Sequence, residues 1–280
     1  MSEDFLKLSD APHVVLKHAP LVLSICQIRF RSLFGVTNQS IVAFQQALQA
    51  KYPVADRVET TAPSDVLDNL STEMKSEQKK IPQWQFTDQE DNWRVVLSPD
   101  ILGLEARTYG HFDEFLDRLE EAIDLLVEHV QPTSLKGFGL RYVNEIRAST
   151  LRPNTHWSSI ICSQLSGPFA VPEFTEHATG VISIQQHTFY YPDNVMLNMR
   201  YGLRGKGTTL QDTQNKRAIS DSFYLLDFDV ARDFSPSGPV LEVNSSIIQQ
   251  FAKEYHKIIY QLFRWSVTQK YISMIAEETS

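Results

Sequence analysis

The sequence predicts an α+β protein made of two antiparallel β-meander sheets, each backed by a long amphipathic helix. Three observations carry this. Apolar and polar residues alternate with period two in short runs within 83–106 and again within 181–230. Apolar residues recur at helical spacing over 112–130 and from Ile247 onward. The strands are separated by short turns, and none reads as the continuous apolar run of a buried parallel strand. Strand–strand–strand–helix thus occurs twice, which predicts an N-terminal lobe at 1–150 and a C-terminal lobe at 151–280. The order of elements suggests a structural duplication, although residue identities do not repeat.

Taken in order, residues 1–20 form a lead-in ending at Pro20, and 21–30 read as a strand with Val22, Ser24, Cys26, Ile28 and Phe30 on one face. Thr37 or Asn38 caps a helix whose stripe is Ile41, Phe44, Ala47 and Leu48, stopped at Tyr52-Pro53. Residues 53–82 are polar and read as a long insertion with a short helix near 64–76. Three strands follow, turning at 89–92 and 98–100. A helix from about Phe112 to Val130 carries Phe112, Phe115, Leu116, Leu119, Ala122, Ile123, Leu126 and Val130 at helical spacing, and Pro132 ends it. Gly137–Ile146 is a half-buried strand. Residues 147–178 are irregular. Strands at 181–190 and 195–201 pair across 191–194, a polar and partly basic loop fills 202–219, and 223–230 is a third strand. Asn244 caps a last helix carrying Ile247, Ile248, Phe251, Tyr255, Ile258, Ile259, Leu262 and Trp265, extending to about Ile275.

Composition narrows the function classes. The chain has 280 residues, a formal charge of -8 and a pI of about 5.5. A protein that coats nucleic acid needs a net basic surface, so that role is disfavoured. Cys26 and Cys162 lie in apolar runs without the spacing of a zinc site. No run approaches ~18 apolar residues, and the N-terminus lacks the basic-then-apolar pattern of a secretory signal. A cytoplasmic protein with no membrane span, no metal and no cofactor is the expectation.

Candidate site residues follow from side-chain chemistry. Arg141 could clamp a carboxylate or phosphate, since a guanidinium holds either bidentately. The plainer alternative is a structural Arg paired with a neighbouring acid such as Glu105 or Glu145. Asn144 lies on the opposite face of the same strand. Asp227 and Asp229 share one strand face and could bind a cation or share a proton; the alternative is a solvated face beside Arg232. Arg204 and Lys206 sit in Gly202–Thr209, which lacks the Gly-Lys-Ser/Thr order of a phosphate-binding loop. With Lys216 and Arg217 they read as a basic hairpin tip able to contact nucleic acid. His256, in the last helix, reads as a packed or hydrogen-bonded residue. Tyr260, Phe263, Trp265 and Tyr271 exceed one helical stripe. They predict either an exposed partner-binding surface or a helix buried on two sides.

Three stretches together resemble a known group of sequences: Pro20 through Phe30, Tyr109 through Phe115 leading into Gly139-Leu140-Arg141-Tyr142-Val143-Asn144, and Leu225–Asp229 with Tyr255-His256 and Phe263. The chain resembles a sporadically distributed, uncharacterised family of bacterial and archaeal proteins of about this length. The match covers nearly the whole chain, with Gly-Leu-Arg-Tyr-Val-Asn its distinctive part. The resemblance implies no activity, cofactor or catalytic residue; the patchy distribution suggests phage-defence or toxin–antitoxin-like loci. The expectation is therefore a non-enzymatic protein that binds a protein partner or itself. The alternatives are a sensor or enzyme for a small phosphorylated or nucleotide ligand bound between the lobes through Arg141, Arg204, Lys206, Asp227 and Asp229, and nucleic-acid contact through 202–217.

Overall fold

The computed structural model describes residues 6–8, 14, 16–32, 36–61, 80–108, 110–178, 180–206, 209–212, 215–218, 220–234 and 240–276. For Thr61, 209–212 and 215–218 it describes the backbone alone. The expected helix near 64–76 and the side chains of Lys216 and Arg217 lie outside these residues.

Eleven strands are described: β1 (Leu21–Arg31), β2 (Val54–Thr61), β3 (Lys80–Thr87), β4 (Trp93–Leu97), β5 (Ile101–Ala106), β6 (Ser134–Arg147), β7 (Gln185–Tyr191), β8 (Val195–Arg204), β9 (Thr209–Asp212), β10 (Asn215–Ala218) and β11 (Phe223–Asp233). The helices are α1 (Asn38–Leu48), α2 (Phe112–Val130), α3 (Ser163–Ser166), α4 (Pro172–Thr175), α5 (Ser245–Ser266) and α6 (Gln269–Ala276). Nine strands form one antiparallel sheet in the order β2-β3-β4-β5-β1-β6-β11-β8-β7, and β9 and β10 form a two-stranded ribbon. The expectation of two separate sheets is corrected here. The strands β1 and β6, each read from the sequence as a single strand outside the two three-strand runs, lie side by side in the middle of the order. Two separate meanders would each leave inner edges bare, and edge strands with unpaired backbone are a liability.

Local chemistry explains most elements. The Thr37 hydroxyl accepts from the Ser40 N–H at 3.1 Å and starts α1. The Asn244 side chain accepts from the Ile247 N–H at 2.9 Å and starts α5. Gln131 takes a left-handed conformation, φ 53°, and returns its N–H to Leu126 O, closing α2 before Pro132. The polar segment 53–82 is not a connection throughout: 54–61 pairs with 80–87 as β2 and β3. Likewise 202–219 holds the β9–β10 hairpin as well as the end of β8. Within 147–178 the structure is short turns and 3₁₀ segments around α3 and α4.

The chain divides into two compact units: Ile25–Phe138 with Phe234–Phe251, and Met1–Ser24 with Gly139–Asp233 and Ala252–Ser280. In the first, Phe44 meets Phe86 at 5.7 Å between ring centroids and Trp93 meets Phe115 at 6.0 Å, with the Arg118 guanidinium 4.3 Å above Trp93. The second holds the candidate site. Its strands are two-faced. Leu140, Tyr142, Asn144 and Ile146 of β6, Tyr224, Leu226, Phe228 and Val230 of β11, and Leu197, Met199, Tyr201 and Leu203 of β8 are buried. Tyr142 and His256 of α5 share a hydrogen bond of 2.8 Å, so α5 covers this apolar face. Tyr224 packs on Trp157 and Phe169 and donates its hydroxyl to Leu165 O at 2.9 Å.

The aromatic residues of the last helices are mostly core. Phe263 and Tyr271 are buried, Tyr260 is half-buried and accepts the Val14 N–H at 2.9 Å, and Trp265 alone of the four is exposed, at 38%. The four do not form one presented surface. The helix is packed on two sides, as the residue count beyond one stripe requires. No helix among the described residues is long and apolar enough to cross a membrane.

Candidate functional site

The period-two alternation that buries one face of β6, β11 and β8 turns the intervening residues to the other. β11 and β8 pair with Asp227 opposite Arg200 and Asp229 opposite Asn198. β8 and β7 pair with Arg200 opposite Gln186 and Asn198 opposite Thr188. With Arg141 from the neighbouring β6, these residues make a polar patch across four strands. An open pocket of about 190 Å³ lies there, lined by Arg141, Gln186, Asn198, Arg200, Asp227 and Asp229.

Asp227 is the centre. It is 4% exposed and accepts from two guanidinium groups. Arg141 donates Nε to Oδ1 at 2.7 Å and Nη2 to Oδ2 at 2.8 Å, the bidentate fork. Arg200 donates Nε and Nη2 to Oδ2 at 3.0 and 2.6 Å. Asp229 is held by Asn198, whose Nδ2 donates to Oδ2 at 3.4 Å; Asn198 in turn accepts the Thr188 hydroxyl at 2.7 Å. Burial pushes the Asp229 carboxyl above its ordinary range. The charge of Arg141 and the Asn198 hydrogen bond oppose this shift, and the charge of Asp227 adds to it.

The residues singled out from the sequence separate clearly. Arg141, Asp227 and Asp229 come together in the pocket. Asn144 does not: it is buried on the opposite face, donating Nδ2 to Leu226 O at 3.3 Å. Arg204 stands four residues beyond Arg200 on the same alternation of β8, outside the pocket lining. Lys206 lies past the end of β8, with its backbone N–H on Ser222 Oγ at 3.3 Å, and is not a site residue. The acid that pairs with Arg141 is Asp227. Glu105 faces Arg94 at 3.6 Å and Glu145 holds Arg147 at 2.6 Å. Arg232 donates its Nε to the Asp193 carbonyl at 3.1 Å. The Asp227 carboxylate is buried rather than solvated.

Sequence reasoning missed Arg200, Asn198 and Gln186. Their signal was present: Leu197, Met199 and Tyr201 alternate with Asn198 and Arg200, so the polar pair shares a face. What linear order withholds is the cross-strand register that sets Arg200 opposite Asp227.

Gly202 lies between Arg200 and Arg204. Its φ is 142°, and a Cβ there would fall 2.1 Å from Ser183 O. Ser183 donates its N–H to Leu203 O at 2.8 Å, which brings the chain preceding β7 against β8 at this point. Only glycine admits both the backbone conformation and the approach. Among the described residues no three His, Cys, Asp or Glu side chains converge as metal ligands would. Comparison with protein-family models and with curated proteins gives no match for this chain.

Proposed function

We propose that this protein binds a small anionic ligand at the Arg141–Asp227–Arg200 cluster. The observation that carries the reading is that two guanidinium groups share one buried carboxylate beside an open pocket. A structural ion pair needs one arginine per aspartate. The second guanidinium shares that carboxylate, and burial works against the charged form of the neighbouring carboxyl, Asp229. A guanidinium carries five N–H donors in a planar fork. Arg200 spends only its Nε and Nη2 on Asp227, and its Nη1 has no protein partner among the described residues. Gln186, exposed on the neighbouring strand, supplies an amide at the pocket wall. Pockets for drug-sized ligands span roughly 300–1,000 Å³, so a volume of about 190 Å³ fits a small anion or an anionic head group. The test is calorimetric titration with benzoate and with phenyl phosphate at low ionic strength. The expected result is saturable binding that weakens about tenfold or more in Arg200→Gln. Binding of neither probe, or equal binding by the variant, would remove the reading.

A second reading, self-association, is favoured by the edge of the sheet. β7 ends the strand order and presents Gln186, His187, Thr188, Phe189 and Tyr190 exposed in succession. It carries none of the charges or prolines that normally protect an edge. In a chain of formal charge -8, such a neutral strip is where two copies meet with least repulsion. Antiparallel pairing of β7 with β7 of a second copy is the arrangement proposed. Thr188→Lys, placing like charges against each other in that pairing, is expected to give a monomer by light scattering. A wild-type protein that is monomeric at high concentration contradicts it.

A further inference from the structure

Half of the charge in the pocket wall is negative. The lining carries two guanidinium groups, Arg141 and Arg200, and two carboxyls, Asp227 and Asp229. A site for a plain anion has no use for a second carboxyl in its wall, because a like charge there repels the ligand. The two carboxyls are not equivalent. Asp227 accepts four guanidinium hydrogen bonds of 2.6–3.0 Å, so its charge is spent inside the cluster. Asp229 accepts from the neutral Asn198 amide at 3.4 Å, a long bond that leaves most of a carboxylate's acceptor capacity open. Burial works against its ionised form, and a cation placed beside it would favour that form. The register sets where the open groups stand. Asp229 lies opposite Asn198 and Arg200 opposite Asp227, so Arg200 and Asp229 are diagonal neighbours on paired strands. Such neighbours are about 7–8 Å apart. Arg200, with its Nη1, and Asp229, with its carboxylate, line the same space of about 190 Å³. A donor-rich cation and an acceptor-rich anion at that separation match a molecule that carries both charges close together.

Resting on the anion-binding reading, we infer that the ligand is a small zwitterion of the α-amino acid type, with its carboxylate on Arg200 and its ammonium on Asp229. An ammonium has three donors and no acceptor, the complement of a carboxylate with open lone pairs. Bonds in which both partners are charged are the strong ones, and this ligand makes one at each end. In an α-amino acid both charged groups sit on one carbon, so the two contacts are made without filling the pocket. Gln186, opposite Arg200 on the next strand, adds an amide to the lining. The Asp229 carboxyl then acts as the selector: it admits an anionic group that brings its own cation and disfavours one that does not.

The experiment is calorimetric titration of the full chain, at neutral pH and low ionic strength, with L-alanine, propionate and ethylamine. These share one carbon frame and carry both charges, the negative one alone and the positive one alone. Benzoate is included as the probe of the anion site. Wild type, Asp229→Asn and Asp229→Glu are compared, with urea unfolding of each variant to show that the fold is kept. L-Alanine is expected to bind wild type about tenfold or more tighter than propionate or ethylamine. In Asp229→Asn, which keeps the shape but not the charge, L-alanine is expected to weaken about tenfold and to lose its advantage over propionate. Asp229→Glu, which keeps the charge, is expected to retain a preference for L-alanine. Propionate binding wild type as tightly as L-alanine would mean that Asp229 takes up a proton rather than an ammonium, and would overturn the inference while leaving the anion site standing. An L-alanine advantage that survives in Asp229→Asn, or benzoate binding without L-alanine binding, would overturn it in the same way. If no probe binds wild type, both readings fall.

Discussion

Removing Asp227 is the sharpest perturbation of this protein, because its consequences for stability and for binding diverge. The Asp227 carboxylate is 4% exposed, and the arginines it holds are 27% and 35% exposed. Breaking a buried ion pair by deleting one partner costs about 3–5 kcal/mol, and an exposed pair contributes about 0–1 kcal/mol. With a buried acceptor and partly wetted donors, Asp227→Ala is expected to cost about 3 kcal/mol. At about 2–4 °C per kcal/mol for chains near this size, the thermal midpoint falls by roughly 6–12 °C. Arg200→Gln leaves the bidentate Arg141–Asp227 pair intact and should cost about 1 kcal/mol. The double variant should cost less than the sum, because once the carboxylate is gone the second arginine is a source of repulsion; coupling of about 0.5–3 kcal/mol is expected for groups in one network. Urea unfolding followed by circular dichroism measures all three. If Asp227→Ala loses less than about 1 kcal/mol, or if the two single losses simply add, the shared-carboxylate account is wrong.

Three further outcomes follow from the structure. Gly202→Ala is expected to lose about 2 kcal/mol or more in urea unfolding, since a Cβ meets Ser183 O at a positive φ; a neutral result would mean the strand relaxes there. Phe263→Ala should cost about 3–5 kcal/mol as a core truncation and Trp265→Ala about 1 kcal/mol, and the reverse order would reinstate an aromatic surface on the last helix. Asp229 has its folded pKa raised above the unfolded value near about 3.9, so its favourable contribution is fully present below that pH and is lost as pH rises through the folded pKa. Asp229→Asn should therefore gain on wild type between pH 4 and pH 8 in parallel unfolding titrations, and a constant difference across that range would remove the assignment.

Elements whose two faces differ were legible in the sequence; elements that are polar on both faces were not. α2 runs from Phe112 to Val130 as its stripe and Pro132 indicate, because eight apolar residues at helical spacing have no other use. β2 was invisible: Val54 to Glu59 are nearly all exposed at the end of the sheet, so no alternation marks them as a strand. The β9–β10 ribbon is polar in the same way. The single sheet was hidden for a different reason. At the ends of neighbours such as β1 and β6, or β6 and β11, backbone hydrogen bonds join residues 125 and 74 positions apart, the Glu145 N–H on Pro20 O and the Ala148 N–H on Ser222 O. Nothing in local periodicity encodes such pairings.

The candidate site shows the same limit at the level of single residues, and it shifts the functional weight. Arg141 stood out because it lies in a distinctive strand, and Asp227 and Asp229 because they are two apart on one face. Yet Arg141 and Asp227 together are a complete bidentate pair, and a complete pair needs no ligand. What makes the patch a candidate for binding is the surplus: a second guanidinium on the same carboxylate. That surplus is a property of the register of β8 against β11. A slip of one residue would move Arg200 to the apolar face beneath α5, where an unpaired guanidinium would be intolerable. The pairing that stabilises the strand therefore also fixes the excess charge in place, so stability and anion binding at Arg200 are expected to be lost together by any change that shifts this register.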